Sequence, residues 1–190
     1  MARYYRSMED GMSQKGTVNE SSLFGDNTKG HGSYKYAEAL KRYTFKSNGG
    51  STTGRWSFND ALSFVREVQI QDPMNPQRKF MRDLRDAVIR KLSLDQKDIV
   101  KNLGIYSAIR TPLDFYHGVD AFIELRTNDG ELKIVTMDAT LNKEKLDTER
   151  IKANVLIGEV PEHIDHPQEY KDFIDRIADQ IVLCFKGSSH

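Results

Sequence analysis

Two aspartates bracket a pair of apolar runs in the stretch "YHGVDAFIELRTNDGELKIVTMDATLN", residues 116–142. Asp120 stands where the first run begins and Asp138 where the second ends. Carboxylates that face each other across a strand pair repel. They call for a cation, a shared proton or full solvation. Mg²⁺ takes one or two carboxylates and keeps several waters. A bound Mg²⁺ can orient water and stabilise charge on a phosphate. The pair therefore permits phosphodiester chemistry. The plainer alternative is that both acids solvate the rim of a sheet or cap turns.

Which alternative holds depends on the bend Asn128-Asp129-Gly130. A two-residue Asp-Gly loop would turn the two aspartates to opposite faces. A three-residue loop places Gly130 in the left-handed position of a type I turn plus bulge. Asp120 then sits directly opposite Asp138. The second register is favoured because glycine occupies the position that needs a positive φ.

Other residues compete for chemical roles. Arg78, Lys79, Arg82, Arg85, Arg90 and Lys91 make one segment strongly basic against Asp83 and Asp86. Such a row could follow a DNA phosphate backbone, although a charge run is more often a solvated face. His163 and His166, with Asp165 between them, supply too few ligands for a metal and suit a helix start beside Pro167. His117 neighbours Asp120 and could move a proton, but a histidine before glycine is more often a loop residue. Trp56 and the tyrosines of the first 50 residues could stack on bases or anchor that segment. Cys184 has no activating neighbour and reads as core. There is no Gly-rich phosphate loop, no cysteine cluster and no nucleophile elbow.

The elements that must position these groups follow from the apolar pattern. Residues 1–55 read as a polar arm, with a short helix over Gly32–Phe45 and a flexible connector over residues 46–55. Ser57 caps a helix with Phe58, Leu62, Val65 and Val68 on one face. Asn75 and Pro76 start a second, reaching about Leu92. Ser93 and Gln96 open a short third helix that Gly104 closes. Strands follow over residues 119–126 and 131–138, then a polar, partly helical stretch over residues 141–152 and a buried strand over 153–160. The last helix carries Tyr170, Phe173, Ile174, Ile177, Ala178, Ile181 and Phe185 on one stripe.

Composition sets the frame. With 190 residues, 38% hydrophobic and 29% charged, the chain suits one α/β domain over residues 56–186 with the arm appended. Residues 187–190 resemble the beginning of a purification tag. No apolar run approaches the ~20 residues of a membrane span, and the first residues lack the apolar middle of a signal peptide. One cysteine fits a reducing, cytoplasmic setting. Residues 1–110 hold 19 Lys/Arg against 12 Asp/Glu, and residues 111–190 hold 9 against 16, so the halves carry +7 and −7. A basic half could face a polyanion while an acidic half holds a cation. The same dipole would suit head-to-tail packing of copies.

The layout resembles the PD-(D/E)XK nuclease-like superfamily. Gly118-Val119-Asp120 stands for the "PD" element and Asp138-Ala139-Thr140 for "(D/E)XK". The resemblance spans residues 58–185 in order of elements, but only a few residues in motif. It implies a small mixed sheet with a central antiparallel hairpin between helices, and Mg²⁺-dependent cleavage of DNA. It implies that Asp120 and Asp138 hold Mg²⁺, with an acid from an earlier helix joining them: Glu67, or alternatively Asp86. Thr140 departs from the pattern, because it cannot supply the charge of the family's lysine. Lys143 or Lys145 would have to reach back, or the core is a degenerate relative kept for binding. A second expectation is a non-catalytic component of an assembly, such as a phage particle, engaging copies or partner chains through residues 1–55.

Overall fold

A computed structural model of the chain describes residues 20–28, 32–47, 56–92, 102–140 and 153–187. In chain order the helices and strands are α1 (Glu20–Phe24), α2 (Gly32–Ser47), α3 (Phe58–Val68), α4 (Lys79–Leu92), β1 (Leu103–Ser107), α5 (Pro112–His117), β2 (Ala121–Arg126), β3 (Leu132–Ala139), β4 (Val155–Ile157) and α6 (Pro167–Gly187). The four strands form one sheet in the order β1-β2-β3-β4. β1, β2 and β3 are antiparallel neighbours, and β4 lies parallel to β3. The architecture is mixed α/β, as expected. The polar stretch between β3 and β4, with Lys143 and Lys145, lies outside the described residues.

Strand alternation separates two cores. Ile105, Ile123, Val135, Met137 and Ile157 share one cluster with the inner faces of α4 and α6. Phe122 lies in the other, with Phe64 and Val65 of α3, Tyr36 and Ala39 of α2, and Leu113 of α5; Ile134 packs against it. Helices therefore cover both faces, and β2 is buried at every position except Arg126. Full burial of each large side chain is worth about 1.5–3 kcal/mol.

The two main helices follow their periodic stripes. Ser57 caps α3, its hydroxyl accepting from the Asp60 N–H at 3.1 Å. Leu62, Val65 and Val68 are buried as the pattern predicts, but Phe58 is 40% exposed and meets the His117 ring edge-on. α4 starts three residues later than the Asn75-Pro76 pattern predicts. Asp72 forms its own turn there, accepting the N–H groups of Met74 and Asn75. In α6, Pro167 opens the helix and the whole predicted stripe is buried.

The predicted helix end at Gly104 is a correction: Gly104 lies inside β1. A Cβ there would come within 3.0 Å of the Tyr106 ring and 3.4 Å of Met74 and Pro73. The glycine lets the 73–74 turn lie over the strand, where the Ile105 N–H donates to the Pro73 carbonyl at 2.9 Å. That turn, with Asn27, Gln69 and Arg85, occupies backbone groups along the outer edge of β1.

The described parts of residues 1–55 pack on the same chain. Phe24 is buried against Phe80, and Tyr43 stacks on Trp56 with centroids 5.4 Å apart. Trp56 itself is buried. Among the described residues no helix is long and apolar enough to cross a membrane.

Candidate acidic site at the end of the sheet

The hairpin adopts the three-residue register. Ala121 faces Met137 and Ile123 faces Val135, which sets Asp120 and Asp138 opposite each other one step beyond the ladder. Gly130 takes φ 87°, as that loop requires. The Thr127 N–H donates to the Glu131 carbonyl at 2.9 Å, closing the bend.

Asp120 is only 4% exposed and ties three strands together. Its carbonyl accepts from the Ala108 N–H (2.7 Å), its N–H donates to the Met137 carbonyl (2.9 Å), and its Oδ2 accepts from the Ala139 N–H (2.7 Å). Burial first, then the charges of Glu20, Asp114 and Asp138, push its carboxyl from 3.8 up to about 9, against the lowering effect of the Ala139 hydrogen bond. Asp120 therefore carries a proton at neutral pH.

Asp138 is half-buried on the face that α3 covers. Glu20 of α1 and Asp114 of α5 bring further negative charge to this end of the sheet. Among the described residues, Arg110 stands beside Asp114. Arg110 has φ 60°, a left-handed conformation unusual outside glycine. Its N–H donates to Asp114 Oδ2 (2.8 Å), its carbonyl accepts from the Tyr36 hydroxyl (2.8 Å), and its guanidinium lies 3.5 Å from Asp26. Three contacts hold a backbone geometry that costs on the order of 1–3 kcal/mol.

The other expected site residues are placed elsewhere. Glu67 pairs with Arg42 of α2. Asp86 is exposed on α4, 3.9 Å from Arg85. Arg85 is buried, donating from Nε to the Leu103 carbonyl at 2.8 Å, so it faces β1 and not a phosphate backbone. Lys79 pairs with Asp83 (2.6 Å), Arg90 with Asp175 (3.5 Å) and Lys91 with Asp179 (2.7 Å). Arg78 and Arg82 remain exposed beside Lys79 at the start of α4. His117 Nε2 donates to the Trp56 carbonyl at 3.2 Å, a structural contact. His166 lies 3.5 Å from Glu169 in the first turn of α6. Thr140 donates its N–H to the Ile157 carbonyl at 2.8 Å.

Two groups lack any signal in the chain order. Glu20 and Asp114 reach the acidic end through tertiary packing. On the α3 side, Arg66 Nε donates to the buried Glu124 at 2.6 Å, and the Tyr106 hydroxyl, pushed up to about 12 by burial and by Glu124, hydrogen-bonds the same carboxylate. Period-2 alternation marks Glu124 as sharing a face with Phe122 but cannot name Arg66.

A cleft of about 340 Å³ runs between α4 and α6, lined by Lys79, Asp83, Arg90, His163 and Tyr170 among others. Its charges largely satisfy one another: the Tyr170 hydroxyl donates to Asp83 at 3.0 Å, and Lys79 lies 5.2 Å from the Tyr170 ring centroid.

The donor set at the acidic end is all oxygen, which suits a hard cation. Among the described residues no three His, Cys, Asp or Glu side chains are grouped to hold an ion. No family model matches the chain, and neither does any curated protein or solved structure.

Proposed function

We propose that this chain is a nuclease-like protein of the PD-(D/E)XK type, with the acidic end of the sheet as its working site and DNA as its partner. The observation that carries this reading is the hairpin register, which brings Asp120 and Asp138 to facing positions at the two strand ends. The order helix, three antiparallel strands, connection and parallel fourth strand supports it. β1, antiparallel to β2, would stand for the strand that such a core carries before Asp120. Asp120 and Asp138 would hold Mg²⁺, which when bound stabilises charge on a phosphate. Arg78, Lys79 and Arg82 supply exposed positive charge for the phosphate backbone. Lys143 and Lys145 are the candidates for the cation that Thr140 cannot provide.

The test is incubation with plasmid DNA and Mg²⁺ or Mn²⁺, beside Asp138→Ala. Cleavage that the variant abolishes upholds the reading. Intact plasmid with both metals rejects catalysis. A second reading, a non-catalytic component of an assembly, is favoured by one observation: the Asp120 carboxyl is spent on the Ala139 N–H, as a purely structural aspartate would be. A defined oligomer in light scattering together with no cleavage would select it.

A further inference from the structure

Residues 20–28 cross the end of β1. Phe24 is their one apolar side chain that is fully buried, edge-on to Phe80 at 5.7 Å, and Leu23 packs partly buried against the same core. Polar contacts add to these. Ser107 Oγ donates to the Gly25 carbonyl (3.0 Å). Asn27 Nδ2 donates to the Ser107 carbonyl (2.9 Å), and its Oδ1 accepts from the Ile70 N–H (3.3 Å). Asp26 faces the Arg110 guanidinium. Ser107 and Arg110 flank Ala108, whose N–H donates to Asp120. The segment thus lies against the stretch that secures Asp120, and Asp120 is shut from solvent.

We propose that residues 20–28 form an intramolecular strap that closes the acidic end of the sheet, and that the site works with the strap released. This rests on the nuclease-like reading given above. Phe24 and Leu23 at one margin of the core, with polar bonds to β1, make a unit far smaller than the domain, which opens at lower cost than the domain unfolds. Residues 105–109 and 136–140 should then exchange their amide protons through strap opening, before α6 does.

The experiment measures hydrogen exchange on the full chain. Phe24→Ala should speed exchange of the Ala108 and Ala139 amides at least tenfold and leave the α6 amides unchanged. Conversely, Asn27→Cys and Gln69→Cys, in a Cys184→Ser background and bridged by a short reducible bifunctional thiol reagent, should slow it at least tenfold until reduction. Exchange that rises equally in α6, or that is the same in bridged and reduced protein, overturns the strap. Mn²⁺-dependent plasmid cleavage, followed in parallel, separates the two ideas. Cleavage undiminished by the bridge overturns the strap alone. Expected exchange without cleavage from the released form overturns the nuclease reading and leaves the strap as a movable segment.

Discussion

Replacing Asp120 by asparagine should stabilise the protein, and only where the pH is high enough. The carboxyl titrates near 3.8 in an unfolded chain and is pushed up to about 9 in the folded one, by burial and then by Glu20, Asp114 and Asp138. Below the lower value both states are protonated and the group is neutral to stability. Between the two values the unfolded chain releases the proton and the folded chain keeps it, so stability falls as pH rises, by about 1.4 kcal/mol per pH unit. Roughly three units separate the lower value from pH 7, which puts the ceiling near 4 kcal/mol; relaxation of the site reduces it. Asparagine keeps an oxygen for the Ala139 N–H and turns an amide towards the three acids. Asp120→Asn should therefore gain about 2 kcal/mol at pH 8, raising Tm by roughly 4–8 °C for a chain of this size. At pH 4 the gain should vanish. Urea or thermal unfolding at both pH values reads it directly. Equal destabilisation at both would show that Asp120 is held as a carboxylate, and the account of the acidic end would fail.

Other expectations are narrower. Arg66→Ala leaves Glu124 buried without its guanidinium and should cost about 3 kcal/mol by urea unfolding, whereas Arg66→Met with Glu124→Gln should cost less than the single change. Gly104→Ala forces a Cβ to within 3.0 Å of the Tyr106 ring and should cost about 1–3 kcal/mol in the same assay. Loss of Mg²⁺- or Mn²⁺-dependent cleavage in Asp138→Ala, with Tm changed by no more than a few degrees, is expected from a half-buried side chain at a strand end.

Much of this fold is written locally. The Asn-Asp-Gly bend sets the register of β2 against β3, because Gly130 alone accepts the positive φ there. The α6 stripe is legible because a helix that packs one side repeats every three to four residues. β1 is not, since Leu103–Ser107 follows a residue pattern that also fits a helix end, and Gly104 serves close packing rather than termination. The candidate site was half legible. Asp120 and Asp138 follow from strand pairing, whereas Glu20 and Asp114 arrive from α1 and α5 by tertiary packing. Part of the basic row on α4 is used within the fold, because the helix lies against both the sheet and α6: Arg85 donates to the Leu103 carbonyl, and Arg90 and Lys91 pair with acids of α6.

The proposed function requires the acidic end of the sheet to hold a divalent cation. Anomalous diffraction from crystals grown with Mn²⁺ tests it most directly. The account predicts a peak at metal–oxygen distance, about 2.1–2.3 Å, from carboxylate oxygens of both Asp120 and Asp138, with residues 20–28 displaced. Crystals with residues 20–28 displaced and no peak there, or a Mn²⁺ ion bound only elsewhere, would contradict it.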